Sequence, residues 1–253
     1  MTWATIGMAV VTCGGTKPAP VAPPAGESLA KALSLYDKHK WDKAKPEFES
    51  VIFNHPGATI VDSAQFYLAM CNYRQRDYVV AADEFQRLRT RYPTSPLVEL
   101  ADLMRCRSLL RVAPGNTGLD QDQTETALAQ LNIFRDNHPV SPLLPAVDSL
   151  SREAYRRLSQ HDYRAALLYH RLGRYQAARI YFQEVIDKYT DSPLVPDALF
   201  FMGEGQRRSD SLDSAISYYE KLIYSFPDHP RTVQARKRVS ELARLRDQTH
   251  ASE

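Results

Sequence analysis

The sequence predicts an all-α chain. The expected form is a solenoid of five helix–turn–helix repeats, with a long connecting helix before the fourth and a capping helix at the carboxy end. Three observations carry this. A set of four anchors centred on an alanine recurs five times along the 253 residues. A proline follows the alanine at a fixed distance in four of the five sets. Residues 146–172 hold neither Gly nor Pro and keep their apolar side chains at helical steps.

The anchors are Trp41, Ala44, Phe48 and Val51, then Tyr78, Ala81, Phe85 and Leu88. A weaker third set is Thr124, Ala127, Leu131 and Phe134. The last two are Tyr175, Ala178, Phe182 and Val185, and Leu212, Ala215, Tyr219 and Leu222. Steps of 3, 4 and 3 place each set on one helix face. The alanine admits a neighbouring helix closely, and the aromatic fills the space beside it. Twelve residues after the alanine stand Pro56, Pro93, Pro139 and Pro227, with Thr190 in the fourth copy; a proline there ends the helix and starts the next turn. A second amphipathic stretch precedes each strong set, with a small residue twelve before the alanine: Ala32, Ala69, Ala166 and Gly203. This is the tetratricopeptide (TPR) pattern.

The anchor alanines lie 37, 46, 51 and 37 residues apart, against a TPR period of about 34, so the middle steps carry insertions. The first, "APGNTGLDQDQ", reads as a loop, with Asp122 or Thr124 capping a helix that starts near Gln123. The second reads as one continuous helix over 146–172. The expected division is repeats 1–3 over 27–144, the connecting helix over 145–172, repeats 4–5 with a capping helix over 173–247, and a tail over 248–253. The capping helix starts after Pro230.

The amino terminus has a different character. "MTWATIGMAVV" is apolar and leads to a lone Cys13; residues 14–26 are then rich in Gly, Pro, Ala and Val, an extended tether. Residues 1–13 resemble a bacterial lipoprotein signal, with Cys13 as the lipid-attachment site. A frayed terminus in a cytosolic protein is the other reading. The tether makes sense with an anchor at its end.

Composition narrows the chemistry. The net charge is +2, which gives nucleic-acid binding no global support. Past Cys13 no apolar run is long enough to span a bilayer. The cysteines at 13, 71 and 106 and the seven scattered histidines form no metal-ligand pattern, and no phosphate-binding glycine motif occurs, so no metal or cofactor is expected. Nothing pairs a nucleophile with a base, so the chain is not expected to be an enzyme. Cys71 and Cys106 occupy similar places in adjacent repeats. Isolated buried thiols are the better reading, and a disulfide is the alternative. His55, His138 and His229 sit in "NHP", "NHP" and "DHP" as turn residues.

Three stretches carry a more specific resemblance: "WDKAKPEFESVIFNHPGA", "LDQDQTETALAQLNIFRDNHPVSP" and "HDYRAALLYHRLGRYQAARIYFQEVIDKYTDSP". With the cysteine, the tether and the long helix, they resemble the BamD family of outer-membrane protein assembly lipoproteins over nearly all of residues 27–240. The resemblance implies a non-catalytic scaffold, lipid-anchored at the periplasmic face of the outer membrane. Gly14 after the cysteine is not the Asp that holds enteric lipoproteins at the inner membrane. It implies two partners besides the membrane: the periplasmic domains of a central β-barrel assembly subunit, at the carboxy-terminal repeats, and unfolded outer-membrane protein segments, at the amino-terminal ones. Another periplasmic TPR adaptor or a co-chaperone is the alternative function.

Repeat position places Leu33, Tyr36, Phe66, Met70, Tyr73, Arg74, Met104 and Arg107 on the concave face made by the first helices of the hairpins. Of these, Tyr36, Phe66, Met70, Tyr73, Arg74 and Arg107 are the peptide-binding candidates, aromatics for side chains and arginines for carboxylates. For Phe66 and Met70 core packing is an equal reading. For Tyr73, Arg74 and Arg107 binding is favoured. The stretch "RTVQARKRVSELARLRDQ" sets six Lys/Arg against two acids, a solvated helix face or a surface for an acidic partner or anionic lipid.

Overall fold

The anchor pattern becomes eleven α-helices, with no strand among the described residues, in a computed structural model that describes residues 23–209 and 211–250. The helices are α1 (Ala25–Asp37), α2 (Trp41–Asn54), α3 (Val61–Arg74), α4 (Tyr78–Arg91), α5 (Val98–Val112) and α6 (Asp122–Asn137). They continue as α7 (Leu144–Arg171), α8 (Tyr175–Lys188), α9 (Val195–Arg208), α10 (Leu212–Ser225) and α11 (Pro230–His250). Each packs chiefly on its neighbour in sequence, as in a solenoid. The hairpins are α1–α2, α3–α4, α5–α6, the second half of α7 with α8, and α9–α10; α11 covers the end. Cys13 and residues 14–22 of the tether lie outside the described residues. Ala25 and Gly26, read as tether, begin α1: the Pro24 carbonyl accepts the Glu27 and Ser28 amides at 3.0 and 3.1 Å. α11 runs past Asp247 to His250.

The small residues lie where helices cross. Ala32, Ala44, Ala69, Ala81, Ala127, Ala166 and Ala215 are 0% exposed, and Ala178 is 1% exposed. Cys106, 2% exposed, takes the small place in repeat 3. Phe48, Phe85, Phe182 and Tyr219 are buried beside them. Gly203 faces Tyr219 so closely that a Cβ there would stand 2.5 Å from a ring carbon.

Two kinds of turn repeat. Between first and second helices, Lys40, Asp77 and Arg174 donate amides at 2.9 Å to Leu35, Asn72 and Tyr169, five or so residues back. Each encloses a left-handed residue: His39 (φ 56°), Arg76 (φ 69°) and Gly173 (φ 70°). Between hairpins, "SPL" recurs. Ser95, Ser141 and Ser192 accept the amides of Leu97, Leu143 and Leu194 at 3.1, 3.2 and 3.3 Å. Their hydroxyls also reach back to the first helix of the same repeat: to Asp62 at 2.6 Å, Glu99 at 2.7 Å and Ser159 at 2.6 Å.

Ser159 shows where repeat 4 begins. Asp62, Glu99 and Ser159 each stand seven residues before the small residue of their helix: Ala69, Cys106 and Ala166. Repeat 4 therefore starts inside α7. Val147, Leu150 and Ala154 of α7 share a core with α5 and α6, whereas Tyr163, Ala166 and Leu167 share one with α8 and α9.

The first insertion is fastened to the middle of α7. Arg157 donates to the Leu110 carbonyl at 2.7 Å, satisfying a terminal carbonyl of α5. His161 Nδ1 donates to the Thr117 carbonyl at 2.8 Å, and Arg164 to Asn116 Oδ1 at 3.0 Å. The loop organises around Gln121, 3% exposed, which donates to the Leu119 carbonyl at 3.1 Å and accepts Thr124 Oγ1 at 2.9 Å. Neither Asp122 nor Thr124 caps α6. The helix starts at Asp122, and Asp120 Oδ1 accepts the Asp122 amide at 2.8 Å, because the acceptor must lie before the first helical turn.

The Gly203–Tyr219 approach yields a direct test. Gly203→Ala is expected to destabilise the protein by about 1–3 kcal/mol through overpacking, read as a lower thermal midpoint. An unchanged midpoint would contradict this packing.

Candidate functional site

The candidate residues divide between a groove and a core. Tyr36, at the end of α1, meets Tyr67 edge-to-face at 5.2 Å, and the Arg74 side chain, at the end of α3, stands near its phenol, which helps to raise the guanidinium above its ordinary value. These two line a surface groove with Asp37, His39 and Trp41. Trp41, a repeat anchor, joins this groove, and so does His39, which carries no motif signal in the sequence; the left-handed turn at His39 brings it beside Trp41, ring centroids 5.6 Å apart.

Phe66 is 6% exposed and packs on Phe85 with ring centroids 5.7 Å apart, so its side chain is part of the core. Met70 and Tyr73 are half-buried against the same cluster, and Met104 is buried in it. Tyr73 also meets Tyr78 edge-to-face at 5.3 Å. Arg107 is half-buried, one guanidinium nitrogen 3.6 Å from the Met104 sulfur. The structure thus brings Tyr36 and Arg74 into one groove. It places Met70, Tyr73 and Arg107 over the adjoining core, with Phe66 beneath.

Cys71 and Cys106 are free and buried, in separate packing clusters. Burial pushes each thiol up to about 12, so neither is a nucleophile at neutral pH. The turn histidines have local partners. His55 Nε2 lies 3.0 Å from the Pro23 carbonyl, His138 lies 3.2 Å from Glu99, and His229 Nδ1 accepts the Arg231 amide at 3.3 Å. No described helix is long and apolar enough to cross a membrane.

The carboxy-terminal half is tied together by one buried carboxylate. Glu204 on α9 accepts Tyr219 Oη at 2.8 Å, Arg207 at 2.9 Å and Arg238 of α11 at 2.9 Å. Arg231 of α11 pairs with Asp197 at 2.8 Å and lies over Phe200 and Phe201, 4.9 and 5.1 Å from their centroids. α11 buries Ala235 and Leu242 and exposes Val233, Arg236, Lys237 and Arg244. The basic stretch is thus partly spent on internal pairs, and the remainder forms an outward face.

A stack of TPR hairpins carrying a solvent-facing groove defines a tetratricopeptide-repeat α-solenoid. The chain belongs to the YfiO family of outer membrane lipoproteins, whose model matches residues 23–209. A tetratricopeptide-repeat model matches residues 197–229. The family is non-catalytic, a group of assembly proteins. Among relatives, the chain is 27% identical over 169 residues to the putative outer membrane protein assembly factor BamD of Aquifex aeolicus, covering 66% of this chain and 55% of that protein. It therefore spans about half the length of that relative. It is 23% identical over 227 residues to outer membrane protein assembly factor BamD of Rickettsia prowazekii, covering 88% of this chain and 89% of the relative. Among solved structures, the TPR2AB domain of yeast Sti1 in its pHSP90 complex overlays with a TM-score of 0.44 at 13% identity, over 90% of this chain and 86% of that one.

The Glu204 network gives a pH-dependent expectation. Burial alone would raise the Glu204 carboxyl, but the bonds from Arg207 and Tyr219 and the charge of Arg238 outweigh it and hold the group below its ordinary 4.5. A depressed carboxylate stabilises the fold fully above its unfolded value and ceases to as pH falls through the lower folded one. Glu204→Gln is expected to cost about 1–3 kcal/mol at pH 7. The deficit relative to the parent should shrink as the pH drops below about 4.5, read in thermal melts across pH. A deficit constant with pH would contradict the network.

Proposed function

We propose that the chain is a lipoprotein scaffold of the outer-membrane β-barrel assembly machinery, held by a lipid on Cys13 at the periplasmic face of the outer membrane. The family match across residues 23–209 carries this reading, since it takes in repeats 1–4, the long helix and the first helix of repeat 5. Repeats 1–3 receive extended, unfolded outer-membrane protein segments. The Tyr36–Arg74 groove and the adjoining Met70, Tyr73 and Arg107 offer ring faces and guanidinium groups to such a segment. Repeats 4–5 and α11 dock on the periplasmic domains of the central barrel subunit. The outward face of α11, with Arg236, Lys237 and Arg244, suits an acidic partner surface.

The anchor is tested by Cys13→Ala. The variant is expected to leave the outer-membrane fraction for the soluble one, whereas retention in the membrane would overturn the anchor and leave the fold untouched. The division of labour is tested by two variants, each first shown by circular dichroism to keep its helicity. Tyr36→Ala with Arg74→Ala should weaken binding of an unfolded barrel peptide and spare co-purification with the barrel subunit. Charge reversal of Arg236, Lys237 and Arg244 should do the opposite. The assignment fails when the first pair loses the barrel subunit and holds the peptide.

A further inference from the structure

The groove at Tyr36 is one instance of a repeated arrangement. It combines an aromatic four residues after the small residue of a first helix, an aromatic three before the anchor alanine, and an arginine five after the small residue of the next first helix. In repeats 1–2 these are Tyr36, Trp41 and Arg74, and in repeats 2–3 they are Tyr73, Tyr78 and Arg111. In repeats 4–5 they are His170, Tyr175 and Arg208. The junction that carries the insertion breaks the pattern, with Leu110 and Thr124 in the two aromatic places. A cation at a helix end complements the helix dipole, which accounts for the arginines. It does not account for two rings in register with each of them.

The geometry repeats with the register. His170 meets Tyr175 edge-to-face at 5.3 Å, as Tyr73 meets Tyr78 at 5.3 Å. All four register arginines, Arg74, Arg111, Arg171 and Arg208, are exposed at the ends of their helices. The His170 ring is wedged among Tyr175, Phe182 and Phe201, and its Nε2 is buried with no hydrogen-bond partner. Beside it a cavity of about 10 Å³, room for a single water, is lined by Tyr175, Arg179, Gln206 and Ser209 among others. Tyr175, Gln176 and Ser209 also line a surface groove with Gly173 and Arg174. The surroundings are therefore cationic and aromatic together.

We propose that the His170–Tyr175 notch, with Arg208 at the end of the facing helix α9, is a second binding site, for an aromatic residue of an extended acidic partner segment that brings a carboxylate to Arg208 and to Arg174 and Arg179 of the groove and cavity. The aromatic ring stacks on Tyr175, and the carboxylate pairs with guanidinium, the combination that the notch between repeats 1 and 2 offers in the same register. Burial, then the charge of Arg208, lowers His170 below its ordinary 6.5, with Glu204 opposing. His170 is thus neutral at pH 7, and a bound carboxylate favours its protonation, so binding strengthens as pH falls toward its titration. The proposal extends the peptide-binding reading of repeats 1–3 to the other half of the chain, and the test separates the two.

The probe is N-acetyl-L-phenylalanine at millimolar concentration, with N-acetyl-L-phenylalaninamide as the uncharged control. It is added to the full chain carrying ¹³C-labelled histidine and observed by NMR. The acid should shift the His170 resonance saturably and the amide should bind several-fold more weakly. Arg208→Gln should weaken the acid by at least about fivefold, and Arg208→Lys less. Arg74→Gln should leave the His170 response unchanged. A His170 resonance that the acid does not move overturns the proposal, as does an affinity unaltered by Arg208→Gln in a variant whose helicity is intact. A response confined to His39 overturns it as well, while leaving the peptide reading of the repeat 1–2 groove in place.

Discussion

Everything else in the molecule depends on how closely the two helices of a hairpin approach, and the residue at the crossing sets that distance. Where the second helix offers a phenylalanine, as at Phe48, Phe85 and Phe182, an alanine suffices on the first helix at Ala32, Ala69 and Ala166. In repeat 5 the ring is Tyr219, and the facing residue shrinks to Gly203. The substitution carries consequences. A buried hydroxyl needs a partner, which is Glu204. A buried carboxylate needs cations, which are Arg207 and Arg238. Arg238 belongs to α11, so the choice of tyrosine at one crossing fixes the capping helix onto the last hairpin.

The same economy governs the middle of the chain. A 28-residue helix would be a lever free to bend at its centre if only its ends were packed. In α7 the two halves belong to different cores, and the boundary between them is held from outside by Arg157, His161 and Arg164 on residues 110–117. The insertion is therefore structural: it turns what would be a hinge into a brace. The cost of ordering a long loop is partly offset locally, because Gln121 pairs with the Leu119 carbonyl and the Thr124 hydroxyl, and Asp120 with the Asp122 amide.

Most of this architecture was legible because it rests on apolar periodicity. The alanine–aromatic anchors gave the second helices, and the Gly- and Pro-free stretch gave α7 within a residue or two at each end. What was illegible rests on polar groups whose partners are distant in sequence. Ser95, Ser141 and Ser192 look like ordinary turn residues, yet each joins a turn to the first helix of its repeat, 33 or 42 residues earlier. Asp122 and Thr124 are good capping types, yet both lie inside α6; the N-cap position is Gln121, whose side chain makes no cap bond, and Asp120 accepts the first helical amide instead. For the candidate site, Tyr36 and Arg74 were found by register and meet in space. Phe66 shared the register but points into the core, because position along a repeat fixes which helix face a residue occupies and not how deep its neighbours bury it.

The turns between first and second helices lie along one rim of the solenoid, and three of the four junctions on that rim carry the aromatic–arginine notch. The fourth is where the α5–α6 insertion emerges and folds down onto α7. The brace and the break in the notch pattern thus occupy the same place. On the reading proposed above, the loop that ties α5–α6 to the middle of α7 stands, in chain order, between the notches of repeats 1–3 and that of repeats 4–5, so the brace and a division between two binding surfaces would be one element.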